Sequence, residues 1–199
     1  MDLKVTRGSD ASDAGRYLDR RQFVKGGTLA ALALCFPSIA AASVSRIYIE
    51  PERRLSFYNT HTGESLSTVY YSMGAYLRES LEEINHVLRD HRTGEIKAID
   101  RELLDLLYEL SVNVGAREPF HVISGFRSLE SNSFLRSRSS GVAKKSLHLE
   151  GKAVDVRIPG RDLAIVREGA LHMKCGGVGY YPASEFIHLD VGPFRYWSG

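Results

Sequence analysis

Hydrophobic patterning divides the chain beyond residue 50 into short elements. Residues 54–59 and 65–71 are β-prone runs flanking Thr60-His61-Thr62-Gly63-Glu64, which predicts a hairpin with glycine in its turn. Residues 76–92 place Leu77, Leu81, Ile84 and Leu88 at helical spacing. Asp100 is positioned to cap a second helix whose inner side is Leu103, Leu104, Leu107, Leu110 and Val114, with Gly115 beyond its end. Residues 120–123 predict a strand and 128–137 a third helix. The Ser/Arg/Gly/Lys-rich stretch 138–146 predicts a loop. Then follow a strand at 153–158, a helix at 161–173, and strands at 177–180 and 186–191. Helices come early and most strands late. The expected fold is therefore α+β, a mainly antiparallel sheet with helices packed on one side.

The first 42 residues follow another pattern. A polar lead precedes Asp19-Arg20-Arg21-Gln22-Phe23-Val24-Lys25, then a mild Ala/Leu-rich run to Phe36, Pro37, and small residues at Ala40-Ala41-Ala42. This is the order of a cleavable export signal. Arg20, Arg21, Phe23 and Lys25 resemble the twin-arginine signal; Asp19 and Val24 depart from its usual residues. That resemblance implies export of an already folded protein through the twin-arginine translocase to the periplasm. Residues 1–42 are thus expected to be the signal and 43–199 the working domain. The apolar run falls short of the ~18 residues a spanning helix needs, so no membrane anchor is expected after cleavage.

Composition changes the picture only once the leader is removed. Its six Lys/Arg and four Asp/Glu, taken from totals of 26 and 24, leave 20 of each. A neutral domain carries no electrostatic footprint for nucleic acid. Cys35 and Cys175 are the only cysteines, and Cys175 alone stays in the mature part, which excludes a disulfide scaffold. All seven histidines lie after residue 42.

The chemistry concentrates in the last third. His148 stands within Ser146-Leu147-His148-Leu149-Glu150-Gly151-Lys152-Ala153-Val154-Asp155, and His188 within Glu185-Phe186-Ile187-His188-Leu189-Asp190. Two neutral imidazoles and a carboxylate on neighbouring strands or loops can supply three ligands to Zn²⁺, leaving a position open for water. The ion's charge would bring the pKa of that water toward ~7. His188 and Asp190, two apart on a strand, share a face.

Ser146-x-His148-x-x-Gly151-x-Ala153-x-Asp155 resembles the signature of the zinc D-Ala-D-Ala peptidases. These belong to the superfamily named for lysostaphin, those peptidases and Sonic hedgehog. Ser124-Gly125-Phe126-Arg127-Ser128 resembles a second segment of that family, and His188 its last ligand. Within it the chain is most similar to the YcbK-like (MepK) murein endopeptidases, also through Thr60–Glu64, Gly141–Ser146 and Gly176–Pro182. The likeness spans roughly residues 45 to 197. It implies a hedgehog/DD-peptidase-like fold and one Zn²⁺ held by His148, Asp155 and His188. It also implies a substrate-facing Arg127, whose fixed charge and fork suit a carboxylate or a developing oxyanion. Peptidoglycan peptides are the implied substrate, and an exported zinc metallopeptidase cutting their cross-links the implied function.

Glu185 matches the Glu-x-x-His of the family's dipeptidases and is the candidate general base. On a regular strand it would point away from His188, so a bend at Pro182-Ala183-Ser184 is required. Asp190 is the alternative base, or else the partner that orients a ligand imidazole. His121 is a candidate fourth ligand. His61, His86, His91 and His172 read as turn, surface or helix-end residues. Lys144 and Lys145 read as loop cations able to steer an anionic peptide; Tyr180, Tyr181 and Trp197 are core or cleft aromatics. Two rival functions share the pattern: a D-Ala-D-Ala carboxypeptidase or dipeptidase, and a non-catalytic zinc-containing module that binds murein.

Overall fold

A computed structural model describes residues 52–139 and 141–199. The expected export signal, residues 1–42, lies outside them. The described chain forms one eight-stranded sheet in the order β3-β2-β1-β4-β5-β7-β6-β8. Its strands are β1 Arg53–Asn59, β2 Ser65–Ser72, β3 Ala75–Tyr76, β4 Phe120–Ser124, β5 Ala153–Arg157, β6 Gly177–Tyr181, β7 Phe186–Asp190 and β8 Arg195–Ser198. The pairings are antiparallel except β1 with β4 and β6 with β8. The α+β architecture expected from the patterning is what the chain adopts.

One face of this sheet carries the core. Leu55 and Phe57 of β1, Phe120 and Val122 of β4, Val154 and Val156 of β5, and Ile187 and Leu189 of β7 are all buried there. They alternate with residues on the other face, as a pleated strand requires. Three helices cover the apolar face: α1 Arg78–Val87 against β2, α2 Arg101–Asn113 against β1, and α4 Leu163–Met173 against β6 and β7. Helix α2 buries Leu103, Leu104, Leu106, Leu107 and Leu110, and starts where the Asp100 carboxylate accepts from the Glu102 amide. Ser128 caps α3, Leu129–Arg138, by accepting from the Ser131 amide. Among the described residues no helix is long and apolar enough to cross a membrane.

Periodicity over-extends the first helix at both ends. Tyr76 belongs to β3, paired with Tyr71, and its hydroxyl donates to Asp105 at 2.6 Å. Leu88 stays buried as the residue that ends α1, so its apolar side chain prolongs the pattern beyond the helix. The following turn is built on Asp90, whose Oδ1 accepts from the Arg92 and Thr93 amides. The edge strands β3 and β8, and 3₁₀ turns at Leu147–Glu150 and Pro182–Ser184, are too short to leave a periodic trace.

Candidate functional site

Asp155 on β5 sits directly across from His188 on β7, in a row that continues through Gly179 on β6 to Trp197 on β8. Because Val154, Val156, Ile187 and Leu189 face the core, this row faces away from it. His148 arrives from outside the sheet. Ser146 accepts from the His148 amide and opens the 3₁₀ turn; Gly151 closes it at φ +71°. A Cβ on Gly151 would stand 2.4 Å from the Ala98 carbonyl oxygen, so both the left-handed backbone and the close approach demand glycine. Its own carbonyl accepts from the Asp100 amide, tying the site to the cap of α2.

Three atoms converge. His148 Nε2 is 3.2 Å from Asp155 Oδ1 and 3.2 Å from His188 Nδ1, and His188 Nδ1 is 2.8 Å from Asp155 Oδ1. The far nitrogens fix the tautomers. His148 Nδ1 donates to the Gly125 carbonyl at 2.7 Å, and His188 Nε2 donates to Asp190 Oδ2 at 2.9 Å. With those protons on the far side, each ring is free to offer its other nitrogen, beside the Asp155 carboxylate, to a shared cation. Among the described residues this is the one group of three or more His, Cys, Asp or Glu side chains placed to hold a metal ion.

The donor set fits a divalent ion of the zinc type. Tetrahedral bonds of ~2.0–2.1 Å place neighbouring ligand atoms ~3.3 Å apart, close to two of the three separations found here, both 3.2 Å, with the His188–Asp155 separation shorter at 2.8 Å. Buried lone pairs facing one another at this distance call for a cation. The Arg127 guanidinium responds to the same field: its Nη2 contacts Asp155 Oδ2 and lies 3.1 Å from His148 Nε2.

Electrostatics favour the ligand forms of Asp155 and His148, whereas His188 is drawn toward its charged form by the carboxylates on either side. Burial works against ionisation of Asp155, yet the His148 and His188 rings hold its carboxyl well below the usual range. Burial pushes His148 down and favours the neutral imidazole a metal requires. Burial opposes the charge of His188 too, but Asp155 and Asp190 on either side outweigh it and raise its pKa.

Arg127 is held by the segment that carries it. Its Nε donates to Ser124 Oγ at 2.8 Å, and its amide donates to the His148 carbonyl. The preceding amide, of Phe126, donates to Leu88 O, and the following one, of Ser128, to Asp90 Oδ2 at 2.7 Å. Every residue from Ser124 to Ser128 therefore has a structural or site contact.

The two candidate bases are placed differently. Asp190 is fully buried behind His188. Its oxygens accept from His188, from both Arg195 guanidinium nitrogens, and from the Gly177 and Gly192 amides. The shared strand face brings Asp190 to the far side of the ring. Glu185 follows the Pro182–Ser184 turn at φ +53°, the bend its position requires. Its carboxylate accepts from Arg157 at 3.3 Å, with 77% of the side chain exposed. His121 packs against the Tyr58 ring and takes no part in the ligand group.

The converging atoms open into a cleft of about 540 Å³. One wall is the segment before His148, including Lys145 and Ser146. The other is aromatic, formed by Tyr181, Phe186 and Trp197. Tyr181 and Phe186 stack at 4.6 Å, and the Trp197 indole donates to the Tyr181 hydroxyl at 2.8 Å. Tyr180, by contrast, packs against the core under Arg167. Patterning does not reveal Arg195, which grips Asp190, or the role of β6. Glycines two apart at Gly177 and Gly179 are the available signal of close approach. A Cβ at Gly179 would stand 2.7 Å from the Trp197 ring, which lies 5.2 Å from His188.

Comparison with known proteins fits this geometry. The model of a peptidase family described as peptidoglycan L,D-endopeptidase MepK matches residues 48–197. The peptidoglycan L,D-endopeptidase MepK of Escherichia coli strain K12 is 44% identical over 189 residues, covering 94% of this chain and 100% of its own. A probable peptidoglycan L,D-endopeptidase MepK of Haemophilus influenzae is 38% identical over 186 residues, covering 92% and 98%.

Proposed function

The chain belongs to the peptidoglycan L,D-endopeptidase MepK family, and from that premise we propose that it is an exported, zinc-dependent murein endopeptidase. The observation that carries this reading is the convergence of His148 Nε2, His188 Nδ1 and Asp155 Oδ1 beside the Arg127 guanidinium, at the floor of an open cleft. His148, Asp155 and His188 hold the ion, one per chain. When bound, such an ion supplies Lewis acidity and makes hydroxide available near neutral pH.

The chain's own residues do the rest. Arg127, fixed by Ser124 and the Asp155 carboxylate, presents permanent positive charge where the scissile carbonyl oxygen becomes anionic. Asp190 positions His188 by accepting its Nε2 proton and is itself saturated by Arg195 and two amides. Among the described residues lining the cleft, Asp155 is the one carboxylate, and it is a ligand. We assign the proton relay to Glu185, whose chain neighbours Ser184 and Phe186 line the cleft. Its exposed pair with Arg157 is of the kind worth ~1 kcal/mol or less, so the carboxylate can leave it at small cost. Glu185 takes the proton of the attacking water and delivers it to the amine as the C–N bond breaks.

The relatives' name makes an L,D-bond of peptidoglycan the expected target, and we expect that bond in diaminopimelate-containing cross-links. Residues 20–25 support export by the twin-arginine route to the periplasm. The test is a digest of purified murein sacculi by metal-replete protein starting near Ser43, beside its His188→Ala variant, with muropeptides separated by chromatography. Loss of cross-linked dimers with wild type alone is the expected result. Release of free D-Ala instead would indicate a carboxypeptidase. No product despite stoichiometric metal would indicate a binding module.

A further inference from the structure

Three cationic side chains line the cleft: Arg127, Arg195 and Lys145. Two already have a carboxylate partner. Arg127 pairs with Asp155, and Arg195 with Asp190. Lys145 has no hydrogen-bond or ionic partner among the described residues. Among the described residues the cleft thus contains one cation without a protein partner, and no carboxylate besides the Asp155 ligand lines it.

Lys144 and Lys145 both lie between two tethered points of the loop. Asn132, buried at the base of the loop, donates from Nδ2 to the Ala143 carbonyl at 3.2 Å. Ser146, the next residue, accepts from the His148 amide at 3.4 Å. The Lys145 charge is carried three residues from a ligand histidine, on the wall facing the aromatic side chains. Lys144, equally charged and equally exposed, does not line the cleft.

The proposed reaction has a matching anion. In a cross-link made through the side-chain amine of diaminopimelate, the carbon bearing the scissile nitrogen also bears a free carboxylate. We propose that Lys145 binds that carboxylate and so selects links whose leaving amine sits beside a negative charge. The proposal deepens the endopeptidase reading and rests on it. A flexible ammonium suits a carboxylate whose position shifts as the amine departs.

The experiment uses a purified cross-linked muropeptide dimer and the same dimer with that carboxylate converted to its amide. Wild type, Lys145→Ala, Lys145→Arg and Lys144→Ala are compared. Loss of one charge-assisted pair in a partly exposed cleft raises KM about tenfold, with kcat within about twofold. Lys145→Arg restores most of the affinity, and Lys144→Ala stays within about twofold of wild type, because it changes only the distant field. The amide dimer carries the same penalty with wild type and none further with Lys145→Ala, as a coupled pair requires. Titration of Trp197 fluorescence reads the same comparison as Kd, independent of turnover. Equal KM and Kd for wild type and Lys145→Ala would overturn the proposal. Equal losses at Lys144 and Lys145, or an amide penalty that persists in Lys145→Ala, would overturn it as well. Failure of wild type to cleave any dimer sinks the endopeptidase reading instead, and the Kd comparison still decides Lys145.

Discussion

His188 Nε2 donates to Asp190 Oδ2 across 2.9 Å, and Asp190 is completely buried. This bond sets which nitrogen of His188 faces the ligand cluster. Asp190→Asn keeps the shape but weakens the acceptor and leaves the Arg195 guanidinium opposite a neutral amide. Metal affinity should fall by about 10–100-fold with the fold retained, as for other partners that orient ligand histidines. A chelator-competition titration beside circular dichroism checks it; unchanged affinity would remove Asp190 from the positioning role.

Glu185→Gln should lower kcat by about 100-fold or more while bound metal stays stoichiometric, because general acid–base groups typically supply 10²–10⁴. Arg157→Ala, which removes only the exposed partner, should leave kcat within about twofold. Elemental analysis alongside turnover separates proton transfer from metal loss. Full activity in Glu185→Gln would show that the relay lies elsewhere.

Gly179→Ala places a methyl 2.7 Å from Trp197 Cε2 and Cζ2. The ring has to tilt away from His188, or the strands part. A cost of about 1–3 kcal/mol is expected, the usual range for overpacking. Trp197 is the only tryptophan in the sequence, so its emission should shift together with the melting temperature. Unchanged emission and Tm would show that the ring is not confined by β6.

Acid should destabilise the domain in part through His91. Its ring stacks on His61 at 3.9 Å, and burial, with His61, Arg92 and Arg127 nearby, pushes its pKa down to about 4. In the unfolded chain it titrates near ~6.5. The unfolded state therefore binds the proton first. The stabilising contribution is complete above pH ~6.5 and is lost as pH falls toward 4. Tm of wild type should drop more steeply across that window than Tm of His91→Gln, the two curves running parallel above pH 7. Parallel curves throughout would rule this contribution out.

Most of the core was legible because its residues repeat with the periods of helix and strand. Asp100, Ser128 and Gly115 punctuate it as local chemistry dictates. His148, Asp155 and His188 were legible as a resemblance; their spacing in sequence does not reveal that β5 and β7 bring Asp155 and His188 opposite each other. Arg195 and Trp197 were not legible in role. They lie on a four-residue edge strand, and their partners Asp190 and Tyr181 are set by strand pairing. The stacked His61 and His91 likewise come from two separate turns, a meeting that no local pattern encodes.

The consecutive amides of Phe126, Arg127 and Ser128 donate alternately to two other segments of the chain, Leu88 and Asp90 after α1 and His148 in the 3₁₀ turn. A backbone stitched in this way has no small motion that frees one amide and leaves the others. Its hydrogens should exchange with solvent only when the domain opens as a whole, so that the arginine at the cleft keeps time with the slowest clock in the molecule.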